Sequence, residues 1–338
     1  MIFILFVWIA MLFRGMKHND VKECTAFTKK NTAALRGICS VEIMLGHIGL
    51  ATESIVLFPN RKAGILFVGI FFALSGYGLM YGVSNKENYL QGFWKRRFPK
   101  ILVPAYFVFV VGIAIENYNG GNLNNLVNVV NLRVFFEHTN WYVWELLVMY
   151  IVFYICARLD KSLLKGQYIL LAFSLVFVCI AFEMGVDNPW YGSTLCFWLG
   201  IFYYMKSEVF IRFSEKYFLG KIIIGIVFLG IFCMLFFMQE GILGNLVARN
   251  GASLIFTILV IMWLHQFSIG NIISVWLGKY SYEIFLFHPL LISILRPWVK
   301  NDVFYAVMVI AGTILAAFIY RNCANSMKGL FKRQELRG

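Results

Sequence analysis

Asn31–Thr52 reads NTAALRGICSVEIMLGHIGLAT, a stretch long and apolar enough to cross a bilayer that still carries Arg36, Glu42 and His47. A charged or titratable group at the centre of a membrane helix costs at least ~2.5–3.5 kcal/mol, so this helix must have a use for three of them. His47 follows Arg36 by eleven residues. That is about 16 Å of helix axis and about 1,100° of rotation, which leaves both side chains within roughly 20° of one face. One stripe of one helix thus holds a fixed cation near a membrane surface and an imidazole near the midplane. Glu42 lies about 140° around from His47 and is expected to face another helix.

The rest of the chain is a home for such a helix. Of 338 residues, 60% are hydrophobic, 18% aromatic and only 14% charged, against about 25% charged in a soluble domain. At roughly 20 apolar residues per crossing, spans are expected near 33–52, 63–83, 101–115, 141–157, 168–183, 190–205, 222–238, 251–267, 281–298 and 303–320. The predicted fold is all-α, a polytopic bundle of about ten transmembrane helices forming one membrane-embedded domain over 1–338. No segment between spans is long enough for a second domain.

The net charge of +13 raises nucleic acid as a partner, but the basic residues sit in short gaps between apolar runs, the pattern of cytoplasmic loops. Placing the basic part of 1–30, the loops 84–100, 158–167, 206–221 and 268–280, and the tail 321–338 on one side gathers roughly 24 of the 30 Lys and Arg there. That side is read as cytoplasmic, with both terminal basic segments on it. No nucleic-acid partner is expected. The opening MIFILFVWIAMLF (Met1–Phe13) is short for a crossing and reads as an interfacial or tilted extra helix. Seven cysteines without a C-x-x-C pair read as small core residues, so no metal site is expected.

Three further stretches carry polar groups. GKYSYEIFLFHPLLI places His288 seven residues into its span, a second intramembrane imidazole at a depth similar to His47. FWKRRFPKILVP packs Lys95, Arg96, Arg97 and Lys100 where the third span begins. Such a cluster can be topogenic charge, or a phosphate clamp built from the planar donor forks of arginine. The Asn-rich segment Glu116–Asn140 is a turn-rich connector or a lid over a cavity for a polar acceptor, since amides both donate and accept. FVGIFFALSGYGLMYG (Phe67–Gly82) is rich in small residues and by itself says that helices pack closely there. No phosphate loop, H-E-x-x-H or G-x-S-x-G element is present.

Together these segments resemble the integral-membrane acyltransferase-3 family, which includes O-acyltransferases of bacterial cell-surface polysaccharides. Its R-x10-H pattern matches Arg36 and His47, and its FF-x-L-S-G signature matches Phe71, Phe72, Leu74, Ser75 and Gly76. Arg97 to Lys100 ahead of Pro104 resemble its basic element. Trp141 to Glu145 resemble its Trp-led helix with an acid, and Ser281, Tyr282, Phe285, Leu286 and His288 its late motif. Three positions depart from the pattern: Gly69 stands for an acid, Lys100 for a second arginine and Phe285 for a tyrosine.

The resemblance implies an O-acetyltransferase with no permanently bound cofactor, for which acetyl-CoA or another acyl-CoA is the donor substrate. Arg96, Arg97, Lys100 and Ser75 would hold the donor, whose pantetheine arm would pass Arg36 toward His47. His47, Arg36 and His288 would form the catalytic group, with His47 as base or as transient acyl carrier. His138, Trp141 and Glu145 would lie on the side of the acceptor, a glycan or lipid-linked glycan. A homo-oligomer in the bilayer is compatible with the sequence. The competing reading is a proton-coupled transporter or flippase using His47, Glu42 and His288; the absence of a clear internal repeat weighs against it. A purely structural scaffold explains neither the stripe nor the basic cluster.

Overall fold

The computed structural model describes residues 1–19, 26–120, 129–238 and 240–335. They form a helical bundle in which eight helices are long and apolar enough to cross a membrane. The chain runs through α1 (Ile2–Phe13), α2 (Lys29–Thr52), α3 (Phe58–Asn85), α4 (Phe93–Gly120), α5 (Leu132–His138), α6 (Trp141–Leu159) and α7 (Gly166–Glu183). It continues through α8 (Leu195–Met205), α9 (Ser207–Glu215), α10 (Phe218–Met238), α11 (Arg249–Gln266), α12 (Ile272–Lys279), α13 (Ser281–Leu295) and α14 (Asp302–Glu335). The two shorter apolar helices, α8 and α13, fill the remaining predicted spans, so the expected all-α polytopic bundle stands.

Local chemistry sets the helix ends. Thr28 caps α2 by accepting from the Asn31 amide, Asn140 caps α6, and Asn271 with Ser274 forms a reciprocal capping box on α12. Glycine sets the spacing between helices. A Cβ on Gly76 would lie 2.1 Å from the Phe197 carbonyl oxygen, and one on Gly200 2.0 Å from that of Ala73, so α3 and α8 touch backbone to backbone. Gly37 and Gly278 do the same for α2 and α12. Small residues permit such contact where apolar burial cannot drive helix association.

The segments expected on the basic side meet at one end of the bundle. A two-stranded ladder, β1 (Lys17–His18) with β2 (Phe267–Ser268), ties the N-terminal segment to the end of α11. The Tyr203 hydroxyl accepts from the Ala26 amide at 2.6 Å, and the Asn85 amide donates to Tyr204 at 2.7 Å.

Two features add to the sequence reading. The basic cluster 95–100 lies on the first turns of α4, which starts at Phe93 and runs through Pro99 and Pro104; membrane helices tolerate proline where neighbours satisfy the freed carbonyls. Helix α1, expected as an interfacial or tilted extra helix, is anchored by one buried side chain. Trp8 is buried and donates its indole N–H to Glu42 at 2.7 Å, fixing α1 against the middle of α2. Residues 121–128 of the Asn-rich segment, together with Cys24 and the last three residues of the tail, lie outside the described residues.

Candidate active site

Other helices wrap α2 almost completely. Between Ala34 and Gly49 only Arg36 and His47 are exposed, the two side chains that the eleven-residue spacing puts on one stripe. Both look into the bundle. Arg36 lies within electrostatic range of Tyr142, Tyr150 and Arg97, and the His47 ring faces that of His288 at 5.0 Å between centroids. The open stripe therefore runs along the inside of the protein, from a cationic end to a pair of imidazoles.

His288 is fully buried, and its bonding fixes its tautomer. Its Nδ1 lies 3.1 Å from the Ile284 carbonyl oxygen, and a carbonyl only accepts, so Nδ1 carries the proton. Nε2 is then a lone-pair acceptor, and it has no hydrogen-bond partner. Pro289 contributes to this arrangement. Lacking an N–H, it leaves the Phe285 carbonyl without its helical donor, and the His288 ring lies against that carbonyl as well.

Toward the basic end, the Ser75 hydroxyl is a hydrogen-bond partner of both Tyr142 and Tyr150. Arg97 is half-buried, donates to the Tyr89 hydroxyl, and stacks over the Tyr89 and Tyr150 rings at 5.8 Å. Arg96 donates to the Tyr89 carbonyl. Lys95, Arg96 and Lys100 are exposed. Of the basic cluster, Arg97 is thus the member turned toward Arg36. Tyr89, Tyr142 and Tyr150 were missed in the sequence reading; with 17 tyrosines in the chain, nothing marked these three until Ser75 and Arg97 had a place.

At the opposite end, a cavity of about 580 Å³ opens between α4, α13 and the start of α6, lined by Glu116, Glu137, His138, Trp141, Trp190 and Ser293 among others. His138 and Trp141 therefore share one cavity. Glu145 is not part of it. It is buried one turn further along α6, where it accepts from Thr194 at 2.6 Å and its second oxygen is unpartnered. Tyr142 and Phe285, the neighbours of cavity residues Trp141 and Leu286, meet at 5.1 Å, and the Phe285 ring lies 5.9 Å from that of His288.

Glu42 faces away from the imidazoles. Trp8 and the Asn60 amide, at 2.7 Å each, occupy its two oxygens. It joins α1, α2 and α3 through these two bonds.

Comparison with known proteins bears on this site. A family model described as an acyltransferase domain matches residues 33–321, a range that holds every group of the stripe and the cavity. The chain is also similar to the peptidoglycan O-acetyltransferase OatA of Listeria monocytogenes serovar 1/2a, 29% identical over 132 residues. That similarity covers 36% of this chain and 20% of the relative, so the chain matches about a fifth of the curated relative's length. No solved structure matches.

Proposed function

The chain belongs to the acyltransferase domain family, and on that premise we propose that it is a multi-pass membrane O-acyltransferase. It moves an acyl group, acetyl first among them, from cytoplasmic acyl-CoA to a hydroxyl of an extracytoplasmic or lipid-linked glycan. One observation carries the reading: the only exposed side chains between Ala34 and Gly49 of α2 are Arg36 and His47, and they share an inward stripe that ends at His288.

The donor end is basic. Arg96, Arg97 and Lys100 meet the phosphates of CoA, with Arg97 held by Tyr89. The thin pantetheine arm then follows the stripe past Arg36 and the Ser75–Tyr142–Tyr150 group, bringing the thioester to the imidazoles. At the other end, the cavity of Trp141, Trp190, His138 and two glutamates combines flat apolar faces with hydrogen-bonding groups, a surface suited to a sugar. The similarity to a peptidoglycan O-acetyltransferase makes peptidoglycan the first acceptor to try. The basic end faces the cytoplasm of a bacterial inner membrane.

The chemistry needs a base. An alcohol is a poor nucleophile at neutral pH, and a neutral imidazole within hydrogen-bond reach raises its reactivity by taking the proton during attack. His47, the exposed ring, takes the acceptor's proton while the hydroxyl oxygen attacks the thioester carbonyl. The C–O bond forms, the C–S bond breaks, and the CoA thiolate leaves with the proton returned by His47. His288 is the positioning residue. Its Nε2 lone pair is unpartnered on a ring locked at Nδ1, 5.0 Å from the His47 ring between centroids, and by accepting the His47 N–H it would keep the other His47 nitrogen free as base. In a covalent variant of the scheme, His47 carries the acyl group itself.

The test is transfer of radiolabelled acetyl from acetyl-CoA to peptidoglycan or its lipid-linked precursor by membranes containing the wild type or His47→Gln. Transfer by the wild type alone is expected. Equal transfer by both would overturn the reading of the stripe.

A further inference from the structure

A second opening shares no lining residue with the stripe. It is a trough of about 310 Å³ between α3, α10 and α11, with an apolar wall of Phe58, Leu66, Phe236 and Phe237 and with Cys233 beside it. Two cations converge on it: the Arg249 guanidinium lies 4.0 Å from the centroid of the Phe236 ring, and Lys62 Nζ lies 5.9 Å from the same centroid. No acidic residue lines the trough, and neither cation forms a salt bridge among the described residues. Asp187 acts on Tyr191 beside Arg249 but makes no ion pair with the guanidinium. Arg249 Nε is buried without a hydrogen-bond partner.

Two like charges facing one aromatic ring at low dielectric repel, and each lacks the anion that would satisfy it. An apolar slot capped by two such cations complements an amphiphile with an acyl tail and an anionic head. We infer that the trough is a binding site for one anionic phospholipid, with an acyl chain along Phe58, Leu66 and Phe237 and its headgroup phosphate between Lys62 and Arg249. Helix α10 otherwise presents almost its whole surface to the outside, so a lipid wedged here would fasten it to α3 and α11. The site lies apart from the stripe and does not rest on the proposed reaction.

Cys233 supplies the probe. The purified wild-type chain in detergent is titrated with short-chain phosphatidylglycerol, phosphatidylcholine or inorganic phosphate. Maleimide labelling of Cys233 is followed by peptide mass spectrometry, which separates it from the other cysteines. Phosphatidylglycerol should slow the labelling, and the other two should not. In Lys62→Gln/Arg249→Gln the phosphatidylglycerol concentration for half-protection should rise about tenfold, equivalent to ~1.4 kcal/mol. Lys62→Gln alone, at an exposed position, should give a smaller rise. Equal protection by phosphatidylcholine, protection by phosphate alone, or unchanged selectivity in the double variant would each overturn the assignment. The lipid comparison on the wild type decides the matter even if the double variant does not fold.

Discussion

The rings of His47 and His288 meet with 5.0 Å between centroids and 54° between planes, although they come from opposite ends of the chain. Only one of them is open to the interior path. On the proposed reaction this asymmetry divides the work: the exposed ring is the one to meet substrate, and the buried ring, tied to the Ile284 carbonyl, the one to set its orientation.

His288→Ala should therefore lower kcat strongly, by about 10²-fold or more, the scale of a general-base contribution, while acyl-CoA affinity stays near wild type. His288→Gln keeps a side-chain acceptor and should recover part of the loss. Steady-state kinetics with the donor and acceptor varied separately checks both. A loss confined to donor KM would reassign His288 to the donor path.

Arg97 is the inward member of the basic cluster. Arg97→Ala should raise donor KM about 10- to 100-fold, the range for losing a charge-assisted contact of roughly 1.5–3 kcal/mol. Tyr89→Phe removes the hydroxyl that Arg97 donates to and should raise KM less. Lys95→Ala, exposed on the same helix, should change little. Isothermal titration with CoA gives the three affinities, and equal effects at Arg97 and Lys95 would mean general attraction to positive charge.

Trp8→Phe deletes an indole N–H that Glu42 accepts and keeps most of the buried ring. Leaving one oxygen of a buried carboxylate unpaired costs about 1–3 kcal/mol, so the thermal midpoint in detergent should drop while turnover at low temperature persists. Loss of turnover without loss of stability would place Glu42 in the reaction.

Gly76→Ala puts a methyl 2.1 Å from the Phe197 carbonyl oxygen. Backbone cannot yield as a side-chain tip can, so α3 and α8 must separate, and overpacking of this kind costs about 1–3 kcal/mol or more. The expected result is lower folded yield by fluorescence-detected size exclusion. Gly64→Ala, on the same helix with nothing within 4 Å of its added Cβ, is the control that should express normally.

Much of this was legible because membranes impose simple rules. Apolar runs of the right length marked the crossings, and the spacing of Arg36 and His47 placed both on one face before any neighbour was known. Glu42 faces other helices, as its angle required. What the sequence hid was long-range pairing. Nothing near Trp8 says that its indole meets a carboxylate 34 residues away, and a 12-residue apolar helix looks too short to reach the core. Glu145 shares a helix with Trp141 yet leaves it in another direction, toward Thr194, and their nearness in sequence could not show that only Trp141 lines the cavity. Arg96, Arg97 and Lys100 look alike as a cluster, and only helix phase from Phe93 onward shows which one turns inward.

The central claim is that His47 does chemistry at the end of an internal donor path, and His47→Gln tests it most directly. Glutamine keeps similar volume and hydrogen bonding but cannot take up a proton at neutral pH. Acyl transfer and acyl-CoA binding should be measured on the same purified preparation, with the wild type alongside. The account predicts that His47→Gln binds acyl-CoA normally and transfers nothing measurable. Near-normal transfer by that variant would contradict it and leave His47 a packing residue.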